Sequence, residues 1–414
     1  MLYFLHPNVD DRVYFNPYSA LDWVTTSIPG LNMLLAAKFA FDQPQSIAWK
    51  LLLVPFGTVA TYRMITTYDF SAGVPEYKAI NYILACVGCA MALKLFEVAA
   101  LTARPVYAPV RQTRQLQKGG HDQRAGSQQL SQATLGDLVH YLFDPRGISY
   151  DFGAGTFQAP ETRNIDNRTT FLLFTFLRCL LFFTLCDLTL MVFQSIPGTT
   201  ATPEGGSLYN PEFSSPLRFL TSTTLVLCTG CATYFGLSVF HYTTTLISVG
   251  LFRQDPAEHP FLFWYPYMAT SVRELWGKRW HSLFRPTFMV LGWKPGYDLL
   301  GEVGGLMSVF IISGLVHDIG LWGFGKGTDP WHMVGFFWLQ SVGIILEGFW
   351  RRITGRKVQG GWGRVWTWIW LICTSHIAVE AWLLKGIGGA VNLVPDEFRP
   401  VWQLKNSLIS YTHQ

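Results

Sequence analysis

Charge is the first shortage. Only 14% of the 414 residues are charged, while half are hydrophobic. A soluble domain usually carries about 25% charged residues, so two or three soluble domains, which the length would allow, are not expected. The excess of positive charge is also small and dispersed, +4 in all, which leaves no footprint for nucleic acid. At its start, "MLYFLHPNVDDRVYF" lacks a basic region leading to a small-residue cleavage site. No removable signal peptide is therefore expected, and the first spanning segment is read as the signal anchor. No repeat of fixed period is visible, and the two halves do not correspond, which counts against a transporter built from repeats. The two CxxC pairs, "CVGC" at 86–89 and "CTGC" at 228–231, lie about 140 residues apart. A zinc ribbon needs a spacing of about 15–20, and both pairs sit in apolar runs that would solvate thiolates poorly. They read as small side chains packing between helices, with neither a metal site nor a disulfide expected.

Long apolar runs are what the chain has instead. About 20 apolar residues cross a bilayer. Candidate spans are 20–40, 47–66, 78–101, 169–195, 217–251, 300–324, 332–350 and 365–388. The first is interrupted by Pro29 and Gly30, and 217–251 is too long for one untilted span, so a kink at its glycines or a run along the surface is expected. The fold class is all-α, a polytopic transmembrane bundle of about eight spans. Three stretches hold most of the Lys and Arg: 102–168, 252–299 and 351–364. The connections 67–77, 196–216 and 325–331 have almost none. The two sets alternate along the chain, so the basic stretches are placed in the cytosol and both termini in the lumen. Asn167, in a glycosylation sequon, then falls on the cytosolic side and stays unmodified. The Gln/Ser/Gly-rich "RQLQKGGHDQRAGSQQLSQAT" (114–134) reads as a mobile cytosolic loop. Residues 1–414 are read as one integral membrane domain, with the bilayer as its partner and no protein partner inferred.

Ionisable groups inside spans are costly, and each is a functional candidate: Glu97, Arg178, Asp187, His241, Glu302, His317, Asp318, Glu347, His376 and Glu380. Arg178 and Asp187 can snorkel from the ends of their span, and Glu97 and Glu302 lie near an interface. His376 and Glu380 are four apart and can bond each other. His317 is placed differently. On its helix Gly301, Gly304, Gly305 and Ser308 form a small-residue stripe for close packing. The other side carries Phe310, Ser313, Gly314, His317, Leu321 and Phe324, an aromatic wall with room beside the imidazole. Asp318 points about 100° away. A packing histidine and a histidine facing an apolar substrate both remain open at this point.

A second constellation is "SVRELWGKRWHSLFRPTF", 271–288. On a helical wheel Arg273, Trp276, Trp280 and Phe284 share a face, Lys278, Arg279 and Arg285 lie mostly elsewhere, and Pro286 ends the helix. This describes an interfacial amphipathic helix with tryptophan anchors. It serves either as an anchor alone or as a cytosolic gate that meets a phosphate-bearing ligand.

In this order, and about 36 residues apart, the two constellations resemble the membrane-bound O-acyltransferase superfamily, in its wax-synthase-like branch. The residues that carry the resemblance are "LWGKRWH" at 275–281 and "SGLVHD" at 313–318. They match a Phe/Leu-Trp-Gly-x-Arg-Trp-His/Asn segment followed by Ser-Gly-x-x-His-Glu in a later membrane helix. "DPRGISYDFG" at 144–153 is similar to an Arg-Gly element of fungal members. Asp318 stands where the pattern has glutamate, a shorter carboxylate with less reach. At the position of His281 broader relatives often have asparagine, which suits a hydrogen-bonding role better than proton transfer.

The resemblance implies acyl transfer from a thioester to a hydroxyl. His317 would be the general base, with a neutral imidazole of suitable pKa. His281 or a backbone N–H would hydrogen-bond the carbonyl oxygen. Asp318 joins them as a site residue, with Trp276, Arg279, Trp280, Phe310, Ser313 and Gly314 as candidates for the substrate and CoA pocket. No acyl-enzyme is required, and no Ser–His–Asp order is visible. No cofactor is expected, and acetyl-CoA is the expected co-substrate. Fungal members of the branch acetylate terpenoid or meroterpenoid hydroxyls, which implies a hydrophobic polycyclic alcohol as acceptor and the endoplasmic reticulum as location. A long-chain wax-ester or sterol-ester synthase is the alternative within the class. A proton-coupled transporter using His317, Asp318, Glu347 and His376 is the alternative outside it.

Overall fold

In a computed structural model, residues 12–107, 110, 133–153, 155–390 and 394–412 are described. Most of the Gln/Ser/Gly-rich stretch read as a mobile loop lies outside them. All eight apolar segments are helical: α1 Ala20–Asp42, α2 Ile47–Thr67, α3 Lys78–Ala100, α5 Arg168–Gln194, α6 Ser215–Gly250, α8 (302–322), α9 Pro330–Thr354 and α10 Gly360–Leu384. A short α4, Leu135–Phe143, follows α3, and α11, Pro400–Thr412, ends the chain. Among the described residues, six stretches suffice by length and composition to cross a membrane: Pro75–Ala100, Arg168–Gln194, Ser215–Gly250, Arg285–Trp322, Pro330–Thr354 and Gly360–Leu384. This is an all-α integral membrane protein. Leu173, Phe174, Phe176, Leu177, Leu180 and Leu181 of α5 are all exposed, a surface that hydrocarbon covers without cost and water does not.

Pro29 does not interrupt α1, which runs through it, and α2 likewise contains Pro55. α6 continues unbroken past Gly230 and Gly236. At about 1.5 Å per residue its 36 residues outrun a hydrocarbon core of about 30 Å.

The chain forms two compact units, each assembled from separate segments. One comprises 1–73, 81–157 and 282–330, and the other 74–80, 158–281 and 331–414. In the first unit, Ala36, Ala37 and Ala40 of α1 are fully buried and pack with Trp49 and Leu53 of α2, Leu95 and Val98 of α3, and Tyr141 of α4. Strands β1 (Val13–Tyr14) and β2 (Tyr68–Asp69) pair in parallel at the edge of this unit. Lys94 and Glu97 form a buried ion pair at 2.6 Å, and Glu97 also accepts from Thr287. Glu97 is therefore satisfied inside the protein by Lys94 and Thr287. In the second unit Phe193, Leu208, Leu225, Val226, Val379 and Leu383 form a core. Here Asp187 is 3% exposed and does not snorkel. It pairs with Arg399 at 2.9 Å and accepts from the backbone N–H of Val401, so it receives the start of α11.

The span that carries His317 opens on a sharp break. Leu300 (φ −136°, ψ 21°) and Gly301 (φ 61°, ψ −151°) leave the helical region, and Gly301 adopts a conformation that only glycine holds without strain. The chain folds back there, with 285–299 (α7) lying against α8. A Cβ on Gly292 would stand 3.1 Å from Val309, and one on Gly305 would stand 2.9 Å from the Trp293 ring. Gly296 and Gly304 meet backbone to backbone. The small-residue stripe thus packs as expected through Gly304, Gly305 and Ser308. Gly301 is the hinge instead of a member of the seam.

Candidate active site

The two motifs fall in different compact units, and each is built from its own neighbours. In the first unit α8 carries Phe310, Ser313, Gly314, His317 and Asp318. Phe310, Gly314, Leu321 and Phe324 are buried, while Ser313 and His317 are half-buried. His317 Nδ1 lies 2.8 Å from the Ser313 carbonyl oxygen. A carbonyl only accepts, so Nδ1 carries the proton, and in the neutral ring Nε2 carries the lone pair. One helical turn of backbone therefore selects the tautomer in which Nε2 is basic. Asp318, 5% exposed, accepts the backbone N–H of Asp329 at 2.6 Å. That bond ties the end of α8 to the turn before α9. The neighbouring face of α8 packs on α3, where Cys86 Sγ lies 3.7 Å from the Val316 carbonyl and the Tyr82 ring lies against Gly320.

In the second unit the Trp-rich segment is not the amphipathic helix expected from the wheel. Ser271 Oγ accepts from Glu274 N at 2.9 Å and opens a single turn, Val272–Glu274. A wide turn follows over Leu275–Arg279, closed by Trp280 N donating to the Leu275 carbonyl at 2.7 Å, and Trp280 is extended (φ −83°, ψ 161°). Arg273, Trp276, Trp280 and Phe284 therefore do not share one helix face. Nor does Pro286 end a helix. It sits in the first turn of a new one, Arg285–Phe288, where its missing N–H costs nothing.

Arg279 is held by its surroundings. Its Nε lies 2.7 Å from Glu274, its Nη1 lies 3.2 Å from the carbonyls of Trp264 and Tyr265, and its guanidinium stacks 4.3 Å over the Trp264 ring. Partial burial pushes the Glu274 carboxyl up. Hydrogen bonds from Thr270 N and Oγ1 and from Arg279 outweigh it and hold the group below the usual carboxylate value. His281 is half-buried, with its ring 5.7 Å from that of Trp280 and 5.8 Å from that of Phe263. Phe263 continues to Tyr234 at 4.9 Å, Tyr234 to Phe182 at 5.6 Å, and Phe182 to Tyr242 at 5.5 Å. Aromatic rings of α5 and α6 thus extend inward from His281, through residues that no charge marked in the sequence.

Two polar groups of α9 reach this segment. Glu347 accepts from Val272 N at 2.6 Å, Arg273 N at 3.1 Å and Trp366 Nε1 at 3.0 Å. Gln340 Oε1 accepts from Trp276 Nε1 at 3.3 Å. In the sequence Glu347 stands out as an ionisable group in a span, whereas Gln340 carries no charge to mark it. His376 and Glu380 have separate partners. Glu380 accepts from Ser207 Oγ and Leu208 N, while His376 bonds the Ile372 carbonyl and stacks on Tyr209.

Residues 259–339, which hold both histidine motifs, match the Membrane bound O-acyl transferase family. The chain is 24% identical over 173 residues to the acetyltransferase spyB of Aspergillus fumigatus, covering 36% of this chain and 29% of that one. It is 24% identical over 247 residues to the acetyltransferase eriL of Hericium erinaceus, covering 56% and 62%. With a long-chain-alcohol O-fatty-acyltransferase of Simmondsia chinensis it shares 29% over 102 residues, covering 23% and 29%. Each match spans less than two thirds of the relative's length. The resemblance to membrane-bound O-acyltransferases of the wax-synthase-like branch is borne out on the segment where the motifs stand.

Proposed function

We propose that this chain is a membrane-bound O-acyltransferase that moves an acetyl group from acetyl-CoA to a hydroxyl of a hydrophobic terpenoid or meroterpenoid alcohol, in the endoplasmic reticulum membrane. The observation that carries the reading is His317. It stands in the matched segment with its Nδ1 proton held by the Ser313 carbonyl, so Nε2 is the basic nitrogen. Nε2 takes the hydroxyl proton as the alcohol oxygen forms a bond to the thioester carbonyl carbon. The carbon–sulfur bond then breaks, and the imidazolium returns the proton to the CoA thiolate. The products are an ester and CoA, with the histidine restored. His281 donates a hydrogen bond to the carbonyl oxygen, in the role its motif implies. The acetyl assignment rests on likeness to the two fungal acetyltransferases, and the polycyclic acceptor on the aromatic walls. Arg279 is assigned to holding the motif turn, with Glu274 as its counter-charge, and not to the CoA phosphates.

The test is made in microsomes from yeast expressing the full chain. Acetyl-CoA and palmitoyl-CoA are compared against a panel of terpenoid and fatty alcohols, with ester and free CoA both measured. The expected result is an acetyl ester of a polycyclic alcohol formed mole for mole with CoA, at rates that fall as the acyl chain lengthens. A palmitoyl rate above the acetyl rate moves the assignment to wax- or sterol-ester synthesis. Solute uptake that needs a proton gradient, without ester, moves it to a transporter.

A further inference from the structure

We propose that one face of α9, through Glu347 and Gln340, positions the Trp276–His281 segment for catalysis. The proposal rests on the acyltransferase reading and deepens it, since neither residue belongs to a motif. Glu347 is 7% exposed and Gln340 fully buried. They lie seven residues apart, two helical turns, and so share a face. The Glu347 carboxylate takes the backbone N–H groups of Val272 and Arg273 at 2.6 and 3.1 Å, and the Trp366 indole N–H at 3.0 Å. Gln340 takes the indole N–H of Trp276 and is itself oriented by donating to the Phe336 carbonyl at 3.1 Å and Thr374 Oγ1 at 2.9 Å. The motif turn is therefore fixed at its backbone by one residue and at its first tryptophan by the other.

Arg279 adds a third hold, through Glu274 and the carbonyls of Trp264 and Tyr265, but the segment has little regular structure of its own. The wide turn over 275–279 is a single turn that ends with Trp280 N donating to the Leu275 carbonyl, and Trp280 is already extended. From Trp276 to the imidazole the path runs through ring packing, Trp276 on Trp280 at 5.9 Å and Trp280 on His281 at 5.7 Å. A displacement at Trp276 thus reaches His281 through one intervening ring. A buried carboxylate and a buried amide are also costly choices inside a membrane-crossing helix, and apolar residues of like volume would pack there at lower cost. The placement suits a group whose value lies in direction.

Glu347→Gln, Gln340→Leu and His281→Ala are made singly and as the two doubles with His281→Ala. Initial rates with acetyl-CoA and an accepted alcohol are taken in microsomes at matched amounts of folded protein, judged by detergent size exclusion. Each α9 variant should lower kcat by about tenfold or more with KM for acetyl-CoA changed less than about threefold, as for an interaction expressed in the transition state. In the His281→Ala background, where residual turnover is measured, the same substitutions should cost less than about twofold, because they act through that histidine. Gln340→Leu leaves the Glu347 bonds intact, so it carries the test if Glu347→Gln does not insert. Losses that multiply in the double variants overturn the positioning role. So does a kcat per folded molecule that stays at the wild-type value. A wild-type chain that forms no ester overturns the acyltransferase reading and this proposal with it, an outcome separate from multiplying losses in an active enzyme.

Discussion

At His317 the deciding atom is Nδ1. Its bond to the Ser313 carbonyl spans one turn of the same helix, so the tautomer is set locally and survives substitutions elsewhere. A general base typically contributes about 10²–10⁴-fold in rate, and His317→Ala should lose ester formation by at least that factor. Raising the pH should not restore it, because an alkanol hydroxyl stays protonated throughout the workable range. The packing seam of α8 runs through Gly304 and Gly305, away from the imidazole, so the variant should elute from detergent size exclusion as the wild type does. His281→Asn should keep much more activity than His281→Ala, since the amide still donates a hydrogen bond. Ester assays at matched protein level check all three variants. If His317→Ala turns over near the wild-type rate, the histidine is a packing residue. Residue identity pointed to His317 because an ionisable group in hydrocarbon is costly and therefore conspicuous. It pointed equally to Asp187, Glu347 and Glu380, whose partners are structural. Sequence shows the cost of burying a charge, while only the fold shows what satisfies it: Arg399 for Asp187, 212 residues away, and Val272 for Glu347, 75 residues away.

At the scale of elements, apolar helices of about 20 residues are legible because hydropathy is one-dimensional, and all eight segments are indeed helical. The shape of the 271–288 segment was not legible. Wheel arithmetic assumes 100° per residue, and a wide turn followed by an extended tryptophan breaks that assumption. The hinge at Gly301 was hidden for a related reason, since a glycine at φ 61° and a glycine in a packing seam look alike in a row of letters. α11 was missed because its place is set from outside, by Asp187 of α5. That dependence is testable. Arg399→Met removes the cation and leaves Asp187 buried with only backbone donors. Breaking a buried pair on one side costs about 3–5 kcal/mol, so thermal unfolding in detergent should shift clearly downward. Asp187→Asn combined with Arg399→Met should recover part of the loss, because neither member of the pair then carries a charge. Equal melting of Arg399→Met and wild type would show that α11 is held by its apolar side alone.

For the molecule as a whole, orientation is the property that decides where the proposed CoA substrate would enter. In the basic stretch 351–364, Arg351, Arg352, Arg356, Lys357 and Arg364 are all exposed around the end of α9 and the start of α10, as are Arg253, Arg273, Lys278, Arg285 and Lys294 of 252–299. Elsewhere several arginines are bound into the fold. Arg146 is buried, Arg168 bonds the carbonyls of Val249 and Arg253, and Arg279 is enclosed by Glu274 and Trp264. Cations committed in this way add less to a surface potential, so the orientation argument rests on the exposed ones, and 351–364 offers five of them within fourteen residues. The connection between α5 and α6 is the natural control. Its charges are Glu204 and Glu212, with no Lys or Arg between residues 195 and 214. A short epitope inserted between Gly355 and Gly360 should be cut when sealed microsomes are treated with protease. The same epitope placed between residues 204 and 206 should be cut only after detergent is added. Ester formation by each tagged chain confirms that the insertions leave the fold intact. Protection of the 355–360 epitope in sealed vesicles would reverse the orientation, and a CoA entrance on the side of the basic stretches would then open into the lumen.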